Sequence, residues 1–128
     1  MKNAIILTHG LIGEALIEAV YGILGIKDGL WALSVTEMSV AEISERLLSI
    51  VNAPDKKEDG VIIMASLKGG SCWNVAVAVA MQYSNVKVVS GVNLPMVLSF
   101  MTKRENTNLE VLTDLIIKDG VRGLCKFE

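Results

Sequence analysis

His9 is the only histidine in the chain, and it lies where a continuously apolar run ends. The run covers residues 4–8, and Gly10 follows the histidine, so we expect the imidazole at the mouth of a sheet rather than inside a core. An imidazole can act as nucleophile, acid or base near neutral pH when one nitrogen is free and the other is held by a partner. A polar residue that ends a strand and bonds to backbone is the alternative interpretation of this position.

A glycine turn is the second segment that could take part in chemistry. Gly69, Gly70 and Ser71 precede a helical pattern, and glycines let the backbone approach a ligand closely. The N–H groups in the first turn of a helix favour an anion, and Lys68 would add positive charge beside them. This segment favours phosphate or phosphoryl binding. A tight turn with Ser71 as the helix N-cap and a merely solvated Lys68 is the alternative, because neither a Walker pattern nor GxGxxG occurs.

The two cysteines, Cys72 and Cys125, are too few for a disulfide scaffold. With a single histidine they are also too few for a structural zinc site. Cys72 begins a helical segment, where a thiol can become reactive, but a small packing residue is the simpler interpretation. Trp73 is expected to pack in the core or at an interface, and Asn93-Leu94-Pro95 is expected to be a turn that starts a helix.

Four strands alternate with helices in the predicted order of elements. Strands are expected at residues 4–8, 31–36, 61–65 and 86–90. The first helix is expected at 12–24 with a stop at Gly25, and the second begins after a Ser39–Glu42 capping box. The third is expected from Cys72 to about Tyr83, and the fourth from about Pro95. The fifth is expected from a Thr107–Glu110 capping box to about Asp119-Gly120. Pro54 and the polar residues 55–60 are expected to close the second helix, and a strand-like tail runs from Val121 to Phe127.

Such alternation with short connections predicts an α/β protein whose parallel sheet is covered by helices on both faces. In these sheets ligands bind outside the carboxyl ends of the strands, especially where the strand order reverses. Three loops are expected at that edge, at residues 8–10, 66–71 and 91–95. A strand-end histidine and a glycine-rich helix start on one edge together favour phosphoryl handling.

Composition narrows the class of protein. A chain of 128 residues and 13.8 kDa fits one domain, residues 1–128. A net charge of −2 lacks the excess of positive charge that is typical of proteins that bind nucleic acid. The apolar stretches are shorter than the roughly 20 residues of a membrane helix, and the N-terminal segment lacks the features of a secretory signal, so we expect a cytoplasmic location.

Three motifs, in order along almost the whole chain, resemble those of mannose-type enzyme IIA domains of the bacterial sugar phosphotransferase system. Residues 8–16, THGLIGEAL, are similar to the phosphohistidine segment of that family. Gly69-Gly70-Ser71 with Asn74 is similar to its glycine turn, and residues 91–96, GVNLPM, are similar to its third signature. Three motifs with family-like spacing are more specific than any one of them.

This resemblance implies a three-layer α/β/α fold with a mainly parallel four-stranded sheet in the order 2-1-3-4. It adds a C-terminal antiparallel strand that is exchanged between the subunits of a homodimer, although the tail from Val121 to Phe127 could equally be an edge strand of its own subunit. It also implies that His9 accepts a phosphoryl group from the phosphocarrier HPr and passes it to an enzyme IIB in sugar uptake. No cofactor is needed, and membrane contact is only indirect, through the sugar-transporting components.

The chain departs from the family pattern at the expected partner of the histidine, where Ser66 stands in place of the usual acidic residue. A carboxylate fixes the tautomer and stabilises a charged imidazole, whereas a serine can only hydrogen-bond. Cys72 replaces the usual proline, and Lys68 replaces an apolar or aromatic residue. The hypothesis is that His9 is the nucleophile, that Ser66 orients it, and that three residues bind the phosphoryl group, namely Lys68, Gly70 and Ser71.

Three alternatives remain open at this stage. The same fold could serve as a catalytically weakened regulatory or interaction module that senses the state of the phosphotransferase system. A thiol enzyme that uses Cys72 with His9 is a second alternative. A flavodoxin-like cofactor binder shares the fold class, but the sequence lacks a long Ser/Thr loop that would cradle a phosphate, and fold class alone does not choose among functions.

Overall fold

A parallel four-stranded sheet forms the centre of the computed structural model, which describes residues 1–53 and 59–128. The strands are β1 (Asn3–Thr8), β2 (Leu30–Ser34), β3 (Val61–Ala65) and β4 (Val86–Ser90). They pair in the order β2-β1-β3-β4, which confirms the α/β class and the expected strand order. Every residue of β1 and β3 is buried, as expected for the two central strands of a sheet covered on both faces.

Five helices are described: α1 (Ile12–Leu24), α2 (Val40–Val51), α3 (Ser71–Ala80), α4 (Leu94–Lys103) and α5 (Leu109–Arg122). The expected bounds of α1 are confirmed, and Gly25 ends it in the left-handed conformation with φ of 75°. The capping box at the start of α2 is also confirmed, because the Ser39 hydroxyl accepts from Glu42 N–H and the Glu42 carboxylate accepts from Ser39 N–H. The predicted closing segment of α2 lies partly outside the described residues, since these exclude Pro54 to Glu58.

Two apolar cores lie on opposite faces of the sheet, because successive strand residues point to opposite sides. On one face, β1 and β3 side chains such as Ile5 and Ile63 pack against α2 and α3. On the other face, side chains such as Ile6 and Met64 pack against α4 and α5, with Val20 of α1. The result is a three-layer α/β/α arrangement that holds the strand ends in fixed positions.

Two helix starts differ from the sequence-based expectation. The N-cap of α3 is Gly70, and Ser71 is the first helical residue, so Ser71 does not cap the helix. The N-cap of α5 is Asn108 rather than Thr107, because Asn108 Oδ1 accepts from Val111 N–H at 2.9 Å. The Thr107 hydroxyl instead donates to the Lys103 carbonyl oxygen at the end of α4. An asparagine caps a helix at least as well as a threonine, which explains the one-residue shift.

The predicted C-terminal strand is not part of the sheet of the single chain. Helix α5 continues to Arg122, past the expected stop at Asp119-Gly120, and residues 124–128 have no regular secondary structure. The Gly120 position is buried in the interface between α5 and α4, where a Cβ would lie 3.3 Å from Met96. Close packing therefore requires a glycine inside the helix, and this glycine was mistaken for a stop signal.

Candidate functional site

The carboxyl ends of β1 and β3 lie side by side at the point where the strand order reverses. From β1 the chain continues to β2 on one side and then returns to β3 on the other. The register pairs Leu7 with Ala65, and Ser66 N–H donates to the Leu7 carbonyl oxygen at 3.2 Å. The loops that follow these two strands therefore start next to each other, which is the usual place for a ligand in a parallel sheet.

His9 follows β1 directly and its side chain is exposed at this edge. The preceding Thr8 is fully buried, and its hydroxyl accepts from Gly13 N–H at 3.2 Å, which satisfies a free amide in the first turn of α1. Gly10 has a φ of 60°, a conformation that favours glycine. The turn from β1 into α1 thus places the imidazole outside the core, as expected from the sequence.

Both peptide groups that flank His9 are hydrogen-bonded to the loop after β2. The Thr8 carbonyl oxygen accepts from Val35 N–H at 2.9 Å. On the other side of the histidine, Gly10 N–H donates to Thr36 Oγ1 at 2.8 Å. The Ser34 hydroxyl donates in turn to Thr36 Oγ1 at 3.3 Å. Hydrogen bonds to the loop after β2 therefore hold the main chain on both sides of His9.

The loop after β3 carries the glycine turn and leads into α3. Gly69 has a φ of 89°, and Gly70 is the N-cap of the helix without any side chain that accepts from its first turn. The other helices that the structure describes each have such an acceptor, provided by Thr8, Ser39, Asn93 and Asn108. The N–H groups at the start of α3 consequently remain available to an anion.

Ser66 and Lys68 lie on this loop, but the structure does not join either of them to the histidine. Ser66 is half-buried and Lys68 is exposed. Within the described ranges, no hydrogen bond links the Ser66 hydroxyl to the imidazole, and no ion pair holds the Lys68 ammonium group. Both side chains are thus near the edge that presents His9, with their polar ends unengaged.

The thiol of Cys72 lies in the core between the sheet and α3, with 5% of the residue exposed. Burial raises the pKa of this thiol, and only a backbone hydrogen bond at Cys72 itself works in the opposite direction. A raised pKa keeps the thiol protonated at neutral pH, and the thiolate is the nucleophilic form. The geometry therefore favours the packing interpretation of Cys72 over the thiol enzyme.

The loop after β4 supports the site from the far side of β3. Val92 N–H donates to the Ala65 carbonyl oxygen at 3.1 Å, which ties this loop to the end of β3. Asn93 caps α4 by accepting from Met96 N–H at 2.9 Å, which confirms the predicted turn into a helix. A pocket of about 220 Å³ lies beyond this loop, against the end of α5, and Leu124 is part of its lining. It is one strand further from His9 than the glycine turn is.

Large apolar side chains are exposed on the two loops that follow β1 and β3. Leu11 and Ile12 follow the turn after β1 and are 75% and 53% exposed. Leu67 on the loop after β3 is 71% exposed. Apolar side chains that stand clear of the core on two neighbouring loops form the kind of surface that another protein can cover.

Sequence analysis missed the loop after β2 as part of this edge. It included the loops after β1, β3 and β4, yet β2 is the direct neighbour of β1 and its loop contacts Gly10 through Thr36. The expected strand order 2-1-3-4 already places the second strand beside the first, so it was the signal that could have identified this loop. Among the described residues, no three His, Cys, Asp or Glu side chains come together in a way that could hold a metal ion.

A family model and the curated relatives both match this chain to components of the PTS. The family model described as "PTS system fructose IIA component" matches residues 3–117. The sorbose-specific EIIA component of the PTS from Klebsiella pneumoniae is 28% identical over 112 residues, which cover 88% of this chain and 82% of that protein. The mannose-specific EIIAB component of the PTS from Escherichia coli K12 is 27% identical over 97% of this chain, and the chain spans only 39% of the length of that relative.

Solved structures with the same fold include two enzyme IIA proteins of the phosphotransferase system. The mannose/sorbose-specific IIA subunit from Enterococcus faecalis is 25% identical, with a TM-score of 0.84 over 100% of this chain and 96% of that one. Component EIIA from Streptococcus agalactiae has a TM-score of 0.89 at 23% identity, over 99% of this chain and 98% of that one, and supports the fold alone. In the part of the chain that is described, no helix combines the length and the apolar character needed to cross a membrane.

Proposed function

This chain belongs to the family of PTS system fructose IIA components, and from that membership and the geometry of the site we propose that it is a phosphoryl carrier in which His9 is the phosphorylated residue. The carrier takes the phosphoryl group from phospho-HPr and passes it to an enzyme IIB. One observation carries the proposal: the sole histidine is exposed at the sheet reversal, beside a helix start that no side chain caps. In this proposal residues 1–128 act as one enzyme IIA domain.

The transfer step is a displacement at phosphorus. An unprotonated ring nitrogen of His9 attacks the phosphorus atom of the donor's phosphohistidine, and a new N–P bond forms. The N–P bond to the donor breaks, and its electron pair returns to the donor imidazole. The second ring nitrogen of His9 keeps its proton, and in the proposal the hydroxyl of Ser66 turns to accept that proton in a hydrogen bond. In the second transfer, phosphorylated His9 is the donor and enzyme IIB accepts the group.

The phosphoryl oxygens need positive charge and hydrogen-bond donors as the group moves. The open N–H groups at Gly70 and Ser71 supply donors, and the dipole of α3 favours negative charge at the same place. The Lys68 ammonium group, which no described ion pair engages, supplies a mobile positive charge. These three residues form the proposed phosphoryl-binding part of the site.

The proposed partners are proteins rather than small molecules. Leu11, Ile12 and Leu67 provide exposed apolar area on the loops after β1 and β3, which HPr and enzyme IIB would cover in turn. Exchange with these carriers requires a shared compartment, so the proposal includes a cytoplasmic location. It also includes a homodimer, because β4 is an edge strand and the apolar residues of the C-terminal tail are exposed.

The decisive experiment is intact-mass analysis after incubation with phosphoenolpyruvate, enzyme I and HPr, at alkaline pH because phosphohistidine is labile in acid. The wild-type protein is expected to gain one phosphoryl group, and the His9→Ala variant none. Because His9 is the only histidine, an acid-labile modification cannot lie on another imidazole. Equal uptake by His9→Ala would refute the assignment. Circular dichroism of the variant is the control for folding, and no change is expected because the side chain is exposed.

A regulatory module is the second candidate, and the neutral Ser66 at the end of β3 favours it. Such a protein would bind HPr or an enzyme IIB without taking up phosphate. The same experiment decides between the two functions when a binding measurement is added. Failure of both wild type and His9→Ala to gain mass, together with detectable binding of HPr, would support the module and refute the carrier.

A further inference from the structure

Among residues 1–53 and 59–128, Thr36 is the one side chain outside the loops of β1 and β3 that forms a hydrogen bond to the turn at His9. Its hydroxyl oxygen lies 2.8 Å from Gly10 N, the amide nitrogen of the peptide bond that follows the histidine. Thr36 itself is exposed on the β2–α2 loop. Neither the family motifs nor the proposed phosphoryl site include this residue. We propose that Thr36 is a positioning residue for His9, an inference that rests on the proposed function.

The two hydrogen bonds that hold the main chain on either side of His9 differ in kind. The bond from Val35 N–H to the Thr8 carbonyl oxygen continues the ladder between β2 and β1, so any residue at 35 except proline can form it. The bond to Gly10 N–H depends on a side-chain oxygen at residue 36. Substitution of Thr36 can therefore release one side of His9 without disturbing the sheet.

Packing does not replace this bond if it is lost. A Cβ built on Gly10 would meet no described atom within 4 Å apart from its chain neighbours, so the space on that side of the residue is open. Gly10 has a φ of 60°, and a glycine adopts negative φ values about as readily as positive ones. The hydrogen bond from Gly10 N–H to Thr36 thus holds a peptide group that would otherwise sample several orientations.

The loop itself holds the hydroxyl in place. Met38 N–H donates to the Val35 carbonyl oxygen at 3.0 Å, which closes a tight turn with Thr36 and Glu37 at its centre. Glu37 has a φ of 64°, as the third residue of a type II turn requires. The Ser34 hydroxyl donates to Thr36 Oγ1 from the end of β2 and further restricts the threonine rotamer. The acceptor is consequently fixed before any phosphoryl donor arrives.

Alignment of the attacking nitrogen is the quantity that such an anchor affects. Displacement at phosphorus needs the nucleophile in line with the bond that breaks, and a misplacement of about 1 Å can slow an enzyme step roughly 100-fold. A freed Gly10 peptide lets the main chain at His9 rotate, which moves the ring. We therefore expect a loss in the turnover of phosphoryl transfer and no change in the KM for phospho-HPr.

The test compares Thr36→Val, which removes the acceptor at nearly constant volume, with Thr36→Ser, which keeps it. Thr36→Val is expected to lower the turnover of transfer from phospho-HPr roughly ten- to 100-fold. Thr36→Ser is expected to restore most of the rate. Thr102→Val is the matched control, because that exposed threonine bonds only within α4, through the Leu98 and Ser99 carbonyl oxygens. Wild-type turnover in Thr36→Val, or equal loss in Thr36→Ser, would overturn the proposal.

A second measurement keeps this inference separate from the proposed function. Exchange of the Gly10 amide proton with water, followed by NMR on the unphosphorylated protein, is expected to be slow in wild type and Thr36→Ser and faster in Thr36→Val. This comparison needs no phosphoryl transfer. If the wild type takes up no phosphate, the carrier function fails while the exchange data still decide whether Thr36 holds the turn. Equal exchange in all three proteins would overturn the positioning role.

Discussion

At the scale of single residues, Ser66 is the position that most directly tunes the proposed chemistry. Its backbone is fixed next to β1 by the bond to the Leu7 carbonyl oxygen, so a side chain here extends from a rigid point at the strand end. Serine offers a hydroxyl but no charge. The geometry of the loop is thus compatible with an acidic residue, and the sequence supplies a neutral one.

Substitution Ser66→Asp is expected to accelerate phosphoryl transfer to His9 by about tenfold or more, because a carboxylate stabilises the charge that develops on the ring. The measurement is the rate of transfer from phospho-HPr in a rapid-quench experiment. Ser66→Asn is the control of equal size without charge and is expected to be no faster than wild type. Equal rates for the Asp and Asn variants would contradict an electrostatic role for this position.

The two cysteines provide a residue-scale test of the thiol alternative. Cys72 is buried with a raised thiol pKa, whereas Cys125 is exposed. Near neutral pH iodoacetamide is expected to modify Cys125 first, and the modification of Cys72 is expected to require either unfolding or a pH above the ordinary thiol range of about 8.5. Mass mapping of the alkylated protein checks this order. Cys72→Ala is expected to retain phosphate uptake, and a complete loss of uptake in a folded variant would revive the thiol enzyme.

At the scale of elements, helix α1 must pack closely on the sheet to place the turn at His9. A Cβ on Gly13 would lie 3.2 Å from the Ala32 Cβ and 3.3 Å from the Ile6 carbonyl oxygen, and neither atom can move without shifting a strand. Gly22 on the same helix has open space around it. The two glycines of α1 therefore have opposite consequences when they are replaced.

Gly13→Val is expected to destabilise the protein by about 1–3 kcal/mol, because the added methyl groups force α1 away from the sheet. Gly22→Ala is the matched control and is expected to stabilise it by roughly 0.5–1 kcal/mol, since alanine loses less backbone entropy in a helix. Urea unfolding followed by circular dichroism measures both changes. Equal effects of the two substitutions would mean that α1 does not pack as tightly as described.

In its ionised form, Asp119 of α5 adds polar contacts to the apolar packing between α4 and α5. This carboxylate accepts from the Lys103 ammonium group and from Ser99 Oγ, the latter at 2.6 Å, and these bonds hold its pKa below the usual range. Arg122 adds a weaker attraction at 3.8 Å. Because the pKa is lower in the folded state, the resulting stability is present above the ordinary carboxyl pKa and is lost as pH falls through the lowered value.

Asp119→Asn is therefore expected to weaken the protein near neutral pH and to have a smaller effect in acid, where the carboxylate of the wild type is itself protonated. Urea midpoints of wild type and variant at pH 7 and at successively lower pH, starting from the ordinary carboxyl pKa of about 4, test this convergence. A constant difference between the two proteins across this range would show that the charge of Asp119 does not contribute.

The sequence predicted most elements, and its errors have local physical causes. Buried apolar runs identify β1 and β3 because both faces of each strand are covered, and the Ser39 capping box defines the start of α2. The sequence favours Ser71 as the N-cap of α3 because serine is a stronger cap than glycine, yet Gly70, which is also permitted there, occupies the position. The role of the β2–α2 loop was missed because its contact with Gly10 is a single side-chain hydrogen bond to Thr36, which the expected strand order does not specify.

At the scale of the whole molecule, neither the C-terminal residues 124–128 nor the outer edge of β4 pairs with a strand among the described residues. Strand β4 has β3 on one side and no described strand on the other. Val121, Leu124 and Phe127 are 62%, 76% and 97% exposed. Exposed edges and apolar tails favour association, and a tail that joins another subunit would fit the exchanged strand that the family resemblance implies and that the single chain does not form.

Removal of residues 124–128 is expected to convert a dimer into a monomer that remains folded, because these residues are exposed and form no part of either core. Light scattering after size exclusion should give about twice 13.8 kDa for the full chain and about half that mass for the shortened one. Phe127→Ala is expected to weaken the dimer, whereas Lys126→Ala, a change at the neighbouring exposed position, serves as the control. Since the tail lies beside the pocket near β4 rather than at His9, the shortened protein should still accept one phosphoryl group. A shortened chain that stays dimeric would place the interface elsewhere, and a full chain that is monomeric would exclude the exchanged strand.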